Sequence, residues 1–284
     1  MTERSRSGLA RVLRQDPQAV VAVVLLTGFA IASVAAPWVA PHDPLALDVR
    51  SRLLGSGREH LLGTDQLGRD VLSRIVFGAR WSLGAALVVT TIVTLIGVAV
   101  GAACGYARGF LDASVVWVID ALLAFPSLLL ALAVIAVLGP GLTGVLVALV
   151  AVGWAGYARM VRSMVLSLRE RDYVLASRAA GARTTRILRR HLLPNIVSPV
   201  VVLASLELGQ LILALAGLSF LGLGVQSPTP EWGSMVNEGR PYLLAKPELM
   251  IYPGLAISVV VICCNILGDR LRDVLDPRLE RLER

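Results

Sequence analysis

The segment Tyr173–Pro194, YVLASRAAGARTTRILRRHLLP, is a basic amphipathic stretch that lies between two long apolar runs. The region from Arg159 to Arg190 holds nine of the 27 Lys and Arg residues of the chain and only two acidic residues, Glu170 and Asp172. The apolar runs on either side carry almost no charge. This composition is typical of a cytoplasmic loop between membrane spans.

The amino-acid composition indicates whether the chain folds in water or in a membrane. Its 284 residues are 56% hydrophobic, its mean hydropathy is +0.72, and charge-free runs of about twenty residues recur. These features predict an all-α polytopic membrane protein without a sizeable soluble domain. The net charge of +7 comes almost wholly from arginines spread over loops, which indicates membrane topology rather than nucleic-acid binding. The three cysteines lie in apolar runs, so neither a disulfide nor a metal site is predicted.

Six transmembrane helices are predicted from the charge-free stretches. The run Ala113–Ala158 is long enough for two spans, and Gly139-Pro140-Gly141 divides it. The first span follows a basic tail. Its small residues Ser33–Ala36 also fit a signal-peptidase site, but the apolar run is longer than a signal core, and we interpret it as a retained anchor. The predicted spans are Gln18–Ala40, Trp81–Ala107, the two halves of Ala113–Ala158, Ile196–Leu223 and Met250–Gly268.

Arginine and lysine counts in alternate loops predict that both termini are cytoplasmic. The two tails and the two loops on their side hold 19 Lys and Arg residues, whereas the opposite side holds eight. Six of those eight lie in the first outer loop, residues 41–80, where acidic residues offset them. The basic loop between Arg159 and Arg190 is therefore expected in the cytoplasm.

A row of glycines marks one face of the second predicted span. Gly97, Gly101, Gly105 and Gly109 recur every four residues, so they share one side of a helix. Small residues at this spacing let membrane helices approach closely. The row predicts helix packing, either within the bundle or between subunits, and indicates no chemistry.

Two ionisable residues, Asp120 and Glu207, lie well inside the apolar runs, where charge is costly. Asp120 either has a structural role, by snorkelling to the membrane surface or by a local hydrogen bond, or it lies on a translocation path. Glu207 is nearer to mid-span. It either forms a structural hydrogen bond or is a neutral carboxyl, or it lies on that path. The sequence leaves both pairs of alternatives open.

Motifs of several enzyme classes are absent. The only lysine, Lys246, is followed by proline, so the chain lacks the Gly-Lys-Ser/Thr of a nucleotide-binding loop. His42, His60 and His191 all fall in loops, and no span offers a histidine for an intramembrane protease or an HExxH site. No catalytic residue and no cofactor is predicted. An autonomous secondary transporter is the alternative from a different class, although no inverted repeat supports it.

The basic loop is predicted to form two short helices that meet at a glycine. Tyr173–Ala180 contains no helix breaker, and Gly181 is placed as a C-terminal cap. Thr184–Leu193 then forms a second helix that Pro194 halts. Such a helix-turn-helix presents small residues and one aromatic ring to a cleft on a partner. The residues alone leave open a loop that rests on anionic lipid headgroups.

A resemblance favours docking on a partner. The loop resembles the EAA loop of ATP-binding-cassette (ABC) importer permeases, EAA-x3-G-x9-I-x-LP, and its HLLPN sequence is similar to the HxLPN form of peptide-importer members. It departs from the motif at Leu175-Ala176-Ser177, which stands in place of Glu-Ala-Ala. The residues that match the motif spacing are Ala176, Gly181, Leu193 and Pro194.

Further segments resemble the C-type permease subunit of dipeptide, oligopeptide and nickel importers. One is DALLAFPSLLLAL, Asp120–Leu132. The others are HLLGTDQLGRDVLSRIVFGAR (His60–Arg80), LSFLGLGVQSPTPEWGSM (Leu218–Met235) and NILGDRLRDVLDPRL (Asn265–Leu279). The similarity runs from roughly residue 12 to residue 280.

The resemblance implies a type I ABC importer permease fold in a bacterial plasma (inner) membrane. The chain would form half of a pore with a second homologous permease subunit. Two cytosolic ATP-binding subunits would bind ATP, and an extracytoplasmic solute-binding protein would deliver solute. The chain itself would be no enzyme. Dipeptides or oligopeptides are the expected cargo, with nickel or another small solute as the alternative.

The same resemblance assigns roles to segments. Residues 1–78 would comprise a cytoplasmic tail, the first helix and an extracytoplasmic loop. Residues 79–268 would form the permease core, with its coupling loop at 159–194. Residues 269–284 would form a cytoplasmic tail. The outer segments Gly63–Asp70 and Ser227–Trp232 are expected to form a scaffold or docking surface, or to contact substrate. Expected contacts with the ATPase are Tyr173, Ala176, Ser177, Ala180, Gly181, Leu193 and Pro194.

Overall fold

The computed structural model describes residues 16–107 and 109–275. The predicted basic N-terminal tail and residues 276–284 of the C-terminal tail lie outside the described residues. The described residues contain no β-strand and one isolated β-bridge, between Thr64 and Asp70. The helices are α1 (Pro17–Val34), α2 (Ala36–Val39), α3 (Val71–Ala107), α4 (Phe110–Ala124), α5 (Ser127–Leu138), α6 (Leu142–Leu168), α7 (Asp172–Ala179), α8 (Thr184–Ile187), α9 (Leu193–Phe220), α10 (Trp232–Gly239) and α11 (Glu248–Leu275).

Five helical segments are long and apolar enough to cross a membrane: α1, α3, α6, the continuous run from α8 through α9, and α11. Helices α4 and α5 are long and apolar enough to cross a membrane only when they are taken together. The two helices are bent by 97° at the break between them. The predicted six spans are therefore found if this bent pair counts as one. The apolar run before Gly139, which was predicted to form one span, contains two helices.

Pro126 explains the break between α4 and α5. Proline has no backbone N–H and restricts the residue before it to extended conformations. Phe125 accordingly has φ −105° and ψ 149°, and Pro126 becomes the N-cap residue of α5. The apolar run contains no charge at this point, so hydropathy alone did not reveal the break.

Helix α3 is longer than a membrane requires. Its 37 residues correspond to about 55 Å, whereas the hydrocarbon core is about 30 Å thick. Its first turns, with Arg74 and Arg80, therefore extend beyond the apolar layer. Helix α6 likewise continues past the predicted end at Ala158 and carries Arg159 and Arg162 on its last turns.

The glycine row of α3 lies against α6 within the bundle. A Cβ atom at Gly97 would lie 2.3 Å from Cβ of Tyr157, and one at Gly101 would lie 2.5 Å from the carbonyl oxygen of Ala158. Real Cβ atoms do not approach so closely, so larger residues here would force the helices apart. Gly109 lies beyond the end of α3 and is not part of the packed row. The glycines whose added Cβ would meet α6 are Gly97, Gly101 and Gly105.

Buried apolar clusters join the helices at three levels. One cluster links α3 with α9, α10 and α11 around Trp232 and Val260. A second links α3, α5, α6 and α9 around Val89 and Leu215. A third lies at the opposite end, where Val161 of α6 packs with side chains of the basic loop. Helix α9 contributes to all three clusters and therefore connects the two ends of the bundle.

Candidate functional site

The basic loop begins with the short helix α7, which ends in a glycine C-cap. Gly181 has φ +79°, a left-handed conformation that glycine adopts without steric cost. The N–H of Gly181 donates to the carbonyl of Arg178 at 3.0 Å, and the N–H of Ala182 donates to that of Ser177 at 3.1 Å. These two hydrogen bonds form a Schellman motif. The predicted end of this helix at Gly181 is confirmed.

One face of the loop is anchored to the membrane helices. Val174 of α7 is 2% exposed, and Ile187 and Leu192 are fully buried. These side chains pack with Val161 of α6 and Ile196 of α9 in the third cluster. Val174 thus puts α7 in the same apolar cluster as α6 and α9.

The opposite face of the loop is exposed. Tyr173 and Leu175 are 45% and 44% exposed, although both carry large apolar groups. The Tyr173 ring lies 5.9 Å from the ring of His191, which belongs to the π-helical segment Leu188–Leu192. Of the residues expected to contact an ATPase, Tyr173, Ala176, Ala180, Gly181 and Pro194 are exposed, and Ser177 and Leu193 are half-buried.

Pro194 does not halt the second helix of the loop, so that prediction was wrong. Helix α8 passes through a π-helical segment, Leu188–Leu192, directly into α9. The N–H of Leu193 donates to the carbonyl of Leu188, five residues earlier, and the Asn195 side chain donates to the carbonyl of His191 at 2.6 Å. The wider π turn accommodates the missing N–H of proline. The loop is thus continuous with a membrane helix.

Arginines of α6 and its C-terminus bind neighbouring elements. The Arg169 guanidinium donates to the carbonyl oxygens of Gly105 and Tyr106, at 3.3 and 3.2 Å, and so satisfies the C-terminal end of α3. Arg162 forms a bidentate ion pair with Asp112 of α4, at 2.6 and 2.8 Å. Bidentate pairs fix orientation as well as distance. The basic loop is therefore attached to α3, α4, α6 and α9.

Asp120 and Glu207 occupy different environments. Asp120 of α4 pairs with Arg159 of α6, and both side chains are more than half exposed. Glu207 of α9 is half-buried and lines a cavity of about 260 Å³ at the bend between α4 and α5. No Lys or Arg in the described part of the chain lies within ion-pair distance of Glu207. Gln210 and Ser127 are further polar residues of the cavity wall.

Two parts of the chain, residues 41–74 and residues 221–247, form an outer layer. The first contains most of the first outer loop, and the second contains α10 with the segments on either side of it. Arg69 and Arg74 are buried and share the Glu238 carboxylate, at 2.7 and 2.9 Å, while Asp65 contacts both guanidinium groups. Lys246 donates to the carbonyl oxygens of Leu53 and Leu54. These contacts join segments that are far apart in sequence. Burial lowers the pKa of Lys246.

Glu231 fixes α10 within this outer layer. Its buried carboxylate accepts hydrogen bonds from the N–H groups of Gly233 and Ser234 and from the Ser82 hydroxyl of α3. The first two are the N-terminal donors of α10, so Glu231 is an N-cap residue. The indole N–H of Trp232 donates to the carbonyl of Ile75 at 2.9 Å. The end of the segment Ser227–Trp232 is thus hydrogen-bonded to α3.

The sequence did not indicate that His42, His60 and Asp70 meet. In the outer layer, potential ligand atoms of these three residues lie within 4.8 Å of one another. Burial opposes ionisation of Asp70, but hydrogen bonds from Ser73 and His60 outweigh it and lower the pKa of this carboxyl. The residues are separated by intervals that match no metal-binding motif. Only the fold of the loop brings them together.

Comparison with protein families gives two matches. Residues 96–281 match the family described as "Binding-protein-dependent transport system inner membrane component". Residues 7–55 match the family described as "N-terminal TM domain of oligopeptide transport permease C". The two matches leave out residues 56–95 between them and together take in most of the chain.

Curated relatives cover nearly the whole chain. The nickel transport system permease protein NikC of Escherichia coli K12 is 43% identical over 91% of this chain and 94% of its own length. The dipeptide transport system permease protein DppC of Alkalihalophilus pseudofirmus is 39% identical over 94% and 88%. The glutathione transport system permease protein GsiD of Escherichia coli is 40% identical over 95% and 89%.

Among solved structures, an inward-facing form of the MetNI methionine ABC transporter contains a chain of similar fold. The similarity has a TM-score of 0.55 at 23% sequence identity and covers 71% of this chain and 96% of that chain. At this identity the likeness concerns the fold alone. It agrees with the helical bundle described above.

Proposed function

Because this chain belongs to the family of binding-protein-dependent transport system inner membrane components, as a permease subunit of an ABC importer, we propose that it forms half of a pore for peptides. A second, homologous permease subunit supplies the other half. Two cytosolic subunits bind and hydrolyse ATP, and an extracytoplasmic solute-binding protein delivers the peptide. The orientation that follows from the arginine counts puts both termini and α7 in the cytoplasm.

Labelling of single cysteines from either side of the membrane measures this orientation directly. A cysteine at Ser177 is expected to react with an impermeant maleimide only from the cytoplasmic side, and one at Thr229 only from the outer side. Both experiments start from a variant without Cys104, Cys263 and Cys264, which are buried and free. Labelling of both positions from the same side would contradict the topology.

The continuity of α8 with α9 is the observation that carries the proposed mechanism. The exposed face of α7 provides the contact for an ATPase. On the buried side of the loop, Val174 of α7, Ile187 of α8 and Leu192 of the π-helical segment pack with α6 and α9. Closure of the ATPase subunits pushes on α7. The push tilts α9 and α6, and both helices line the cavity that contains Glu207. Rigid-body tilting of packed helices is an established type of switching motion.

Glu207 is proposed to contact the cargo in this cavity. A carboxylate on a membrane helix without a cationic partner suits a cation, such as the N-terminal ammonium group of a peptide. The polar groups of Gln210 and Ser127 in the same wall suit peptide amides. Asp120 is assigned a structural role instead, because its ion pair with Arg159 joins α4 to α6.

Uptake by charge-neutral variants tests this assignment. Glu207→Gln preserves size but removes the charge, and we expect it to lower ATP-dependent peptide uptake about tenfold, the cost of one charge-assisted hydrogen bond. Expression and ATPase stimulation are expected to stay at wild-type levels. Asp120→Asn is the matched control, with uptake within about twofold because exposed ion pairs contribute little. Wild-type uptake by Glu207→Gln would remove Glu207 from the path.

Peptide as cargo is supported by the oligopeptide-permease match at the N-terminus and by the dipeptide and glutathione relatives. Nickel is the second candidate, because the nickel permease is as similar as the peptide permeases. Calorimetric titration of the cognate solute-binding protein with dipeptides, longer peptides, glutathione and nickel chelates separates the two. Binding of nickel chelates without binding of any peptide would reject the peptide proposal.

A further inference from the structure

Three segments of the outer layer converge on one carboxylate oxygen. Oδ1 of Asp70, at the start of α3, lies 2.9 Å from Nδ1 of His60 and 3.7 Å from Nδ1 of His42. We propose that His42, His60 and Asp70 bind a divalent transition-metal ion of the Zn²⁺ or Ni²⁺ class. The ion would connect the residues after α2, the middle of the outer loop and the first turn of α3.

The distances fit a small metal ion. Imidazole nitrogens and carboxylate oxygens bind Zn²⁺ at about 2.0–2.2 Å, which puts the ligands of a tetrahedral ion about 3.4 Å from one another. The distances of 2.9 and 3.7 Å lie on either side of this value. Two imidazoles and one carboxylate also match the ligand preference of Zn²⁺ and Ni²⁺ rather than that of Ca²⁺ or Mg²⁺, which prefer oxygen ligands.

Ser73 holds two of the three ligands in position. Its N–H and hydroxyl donate to Oδ2 of Asp70, at 2.8 and 2.7 Å, and leave Oδ1 directed at the histidines. The same hydroxyl oxygen accepts a hydrogen bond from the backbone N–H of His42 at 3.1 Å. Groups that orient ligands in this way raise the affinity of metal sites, because fewer conformations are lost on binding.

Solvent reaches the site from one side. The Asp70 carboxylate is buried, but the His42 side chain is 41% exposed and forms part of the wall of a cavity of about 590 Å³. Phe77, Trp81 and Pro230 line the same cavity. A metal ion can enter by this route, and a water molecule can complete its coordination from the cavity.

An ordinary hydrogen bond explains only part of the cluster. A single histidine beside an aspartate is common as a structural pair, and His60 with Asp70 fits that description. It does not explain why a second imidazole, His42, faces the same oxygen, with the two rings 4.7 Å apart. Two ring nitrogens and one carboxylate oxygen within 4.8 Å of one another can share one metal ion between them.

Metal titration of the full chain, purified without a polyhistidine tag, tests the proposal. We expect one equivalent of Zn²⁺ or Co²⁺ to bind in calorimetry, and the Co²⁺ form to have the intense visible absorption of a low-coordinate ion. His42→Ala is expected to weaken binding by at least about 10- to 100-fold, the range for loss of a supporting group at a metal site. Zn²⁺ should raise the thermal midpoint of the wild type and not that of His42→Ala.

Two further variants distinguish a site from a folding defect or unspecific binding. His42→Cys supplies another metal ligand and should retain Zn²⁺ binding. His191→Ala removes the third histidine of the chain, which lies in the basic loop, and should leave the titration unchanged. Absence of stoichiometric binding by the wild type would overturn the proposal, as would equal loss of binding in His42→Ala and His191→Ala. The outcome is independent of the cargo.

Discussion

Glycines of α3 determine how closely that helix approaches α6, and the effect can be measured at one position. Replacing Gly97 by valine adds a Cβ atom 2.3 Å from Cβ of Tyr157. Overpacking of this kind costs about 1–3 kcal/mol. We therefore expect Gly97→Val to lower the thermal midpoint of the purified chain in detergent, because α3 and α6 must separate.

Gly84 provides the matched control on the same helix. Its added Cβ atom would meet nothing within 4 Å, so Gly84→Val makes the same chemical change without a clash. Its thermal midpoint should remain close to that of the wild type. Equal destabilisation by the two variants would mean that valine lowers the stability of α3 by itself and that the contact with α6 is not the cause.

Single residues also mark a limit of sequence-based inference. Asp120 and Glu207 present the same signal, an acidic residue within an apolar run. They differ because Arg159 is placed opposite Asp120, whereas Glu207 lies at a cavity formed by four helices. Neither environment can be inferred from local sequence, since the partner groups belong to other helices. The sequence analysis likewise placed His42 and His60 in loops without predicting that they meet Asp70.

At the level of secondary-structure elements, the connection between α7 and α8 depends on the left-handed conformation of Gly181. A β-branched residue in that conformation costs roughly 1–2 kcal/mol. We expect Gly181→Val to distort the turn and to reduce the ratio of peptide imported to ATP hydrolysed. Insertion should be unaffected, because a Cβ atom here would meet nothing within 4 Å.

Gly181→Asn serves as the control for the turn. Asparagine tolerates the left-handed region and often replaces glycine at a helix C-cap. The coupling ratio of this variant should be close to that of the wild type. If Gly181→Val couples normally as well, the conformation of the turn has no part in force transmission, and the role assigned to α7 would need revision.

The helical elements follow from hydropathy where the signal is long and continuous. The charge-free runs predicted α1, α3, α6, α9 and α11 because burial in lipid requires apolar side chains along the whole span. Two features were missed. Pro126 bends the α4–α5 pair, although the run around it is uninterrupted. The π-helical segment lets α8 continue past Pro194, which local rules treat as a helix stop.

At the level of the whole molecule, one helix connects the two ends of the bundle. Helix α9 begins at the basic loop, passes the cavity with Glu207 and ends beside the outer layer. The outer layer is held together by the buried network of Asp65, Arg69, Arg74 and Glu238. Under the proposed mechanism, a push on α7 changes access to the cavity while the outer layer keeps its internal structure.

The central claim is that this chain transports solute only when an ATPase acts on α7. The most direct measurement is peptide uptake into proteoliposomes that contain this chain and its partner permease, with and without the ATPase subunits. We predict uptake only when the ATPase subunits and hydrolysable ATP are both present. Equal uptake without ATPase subunits or nucleotide would contradict the account, because the permease would then move solute by itself.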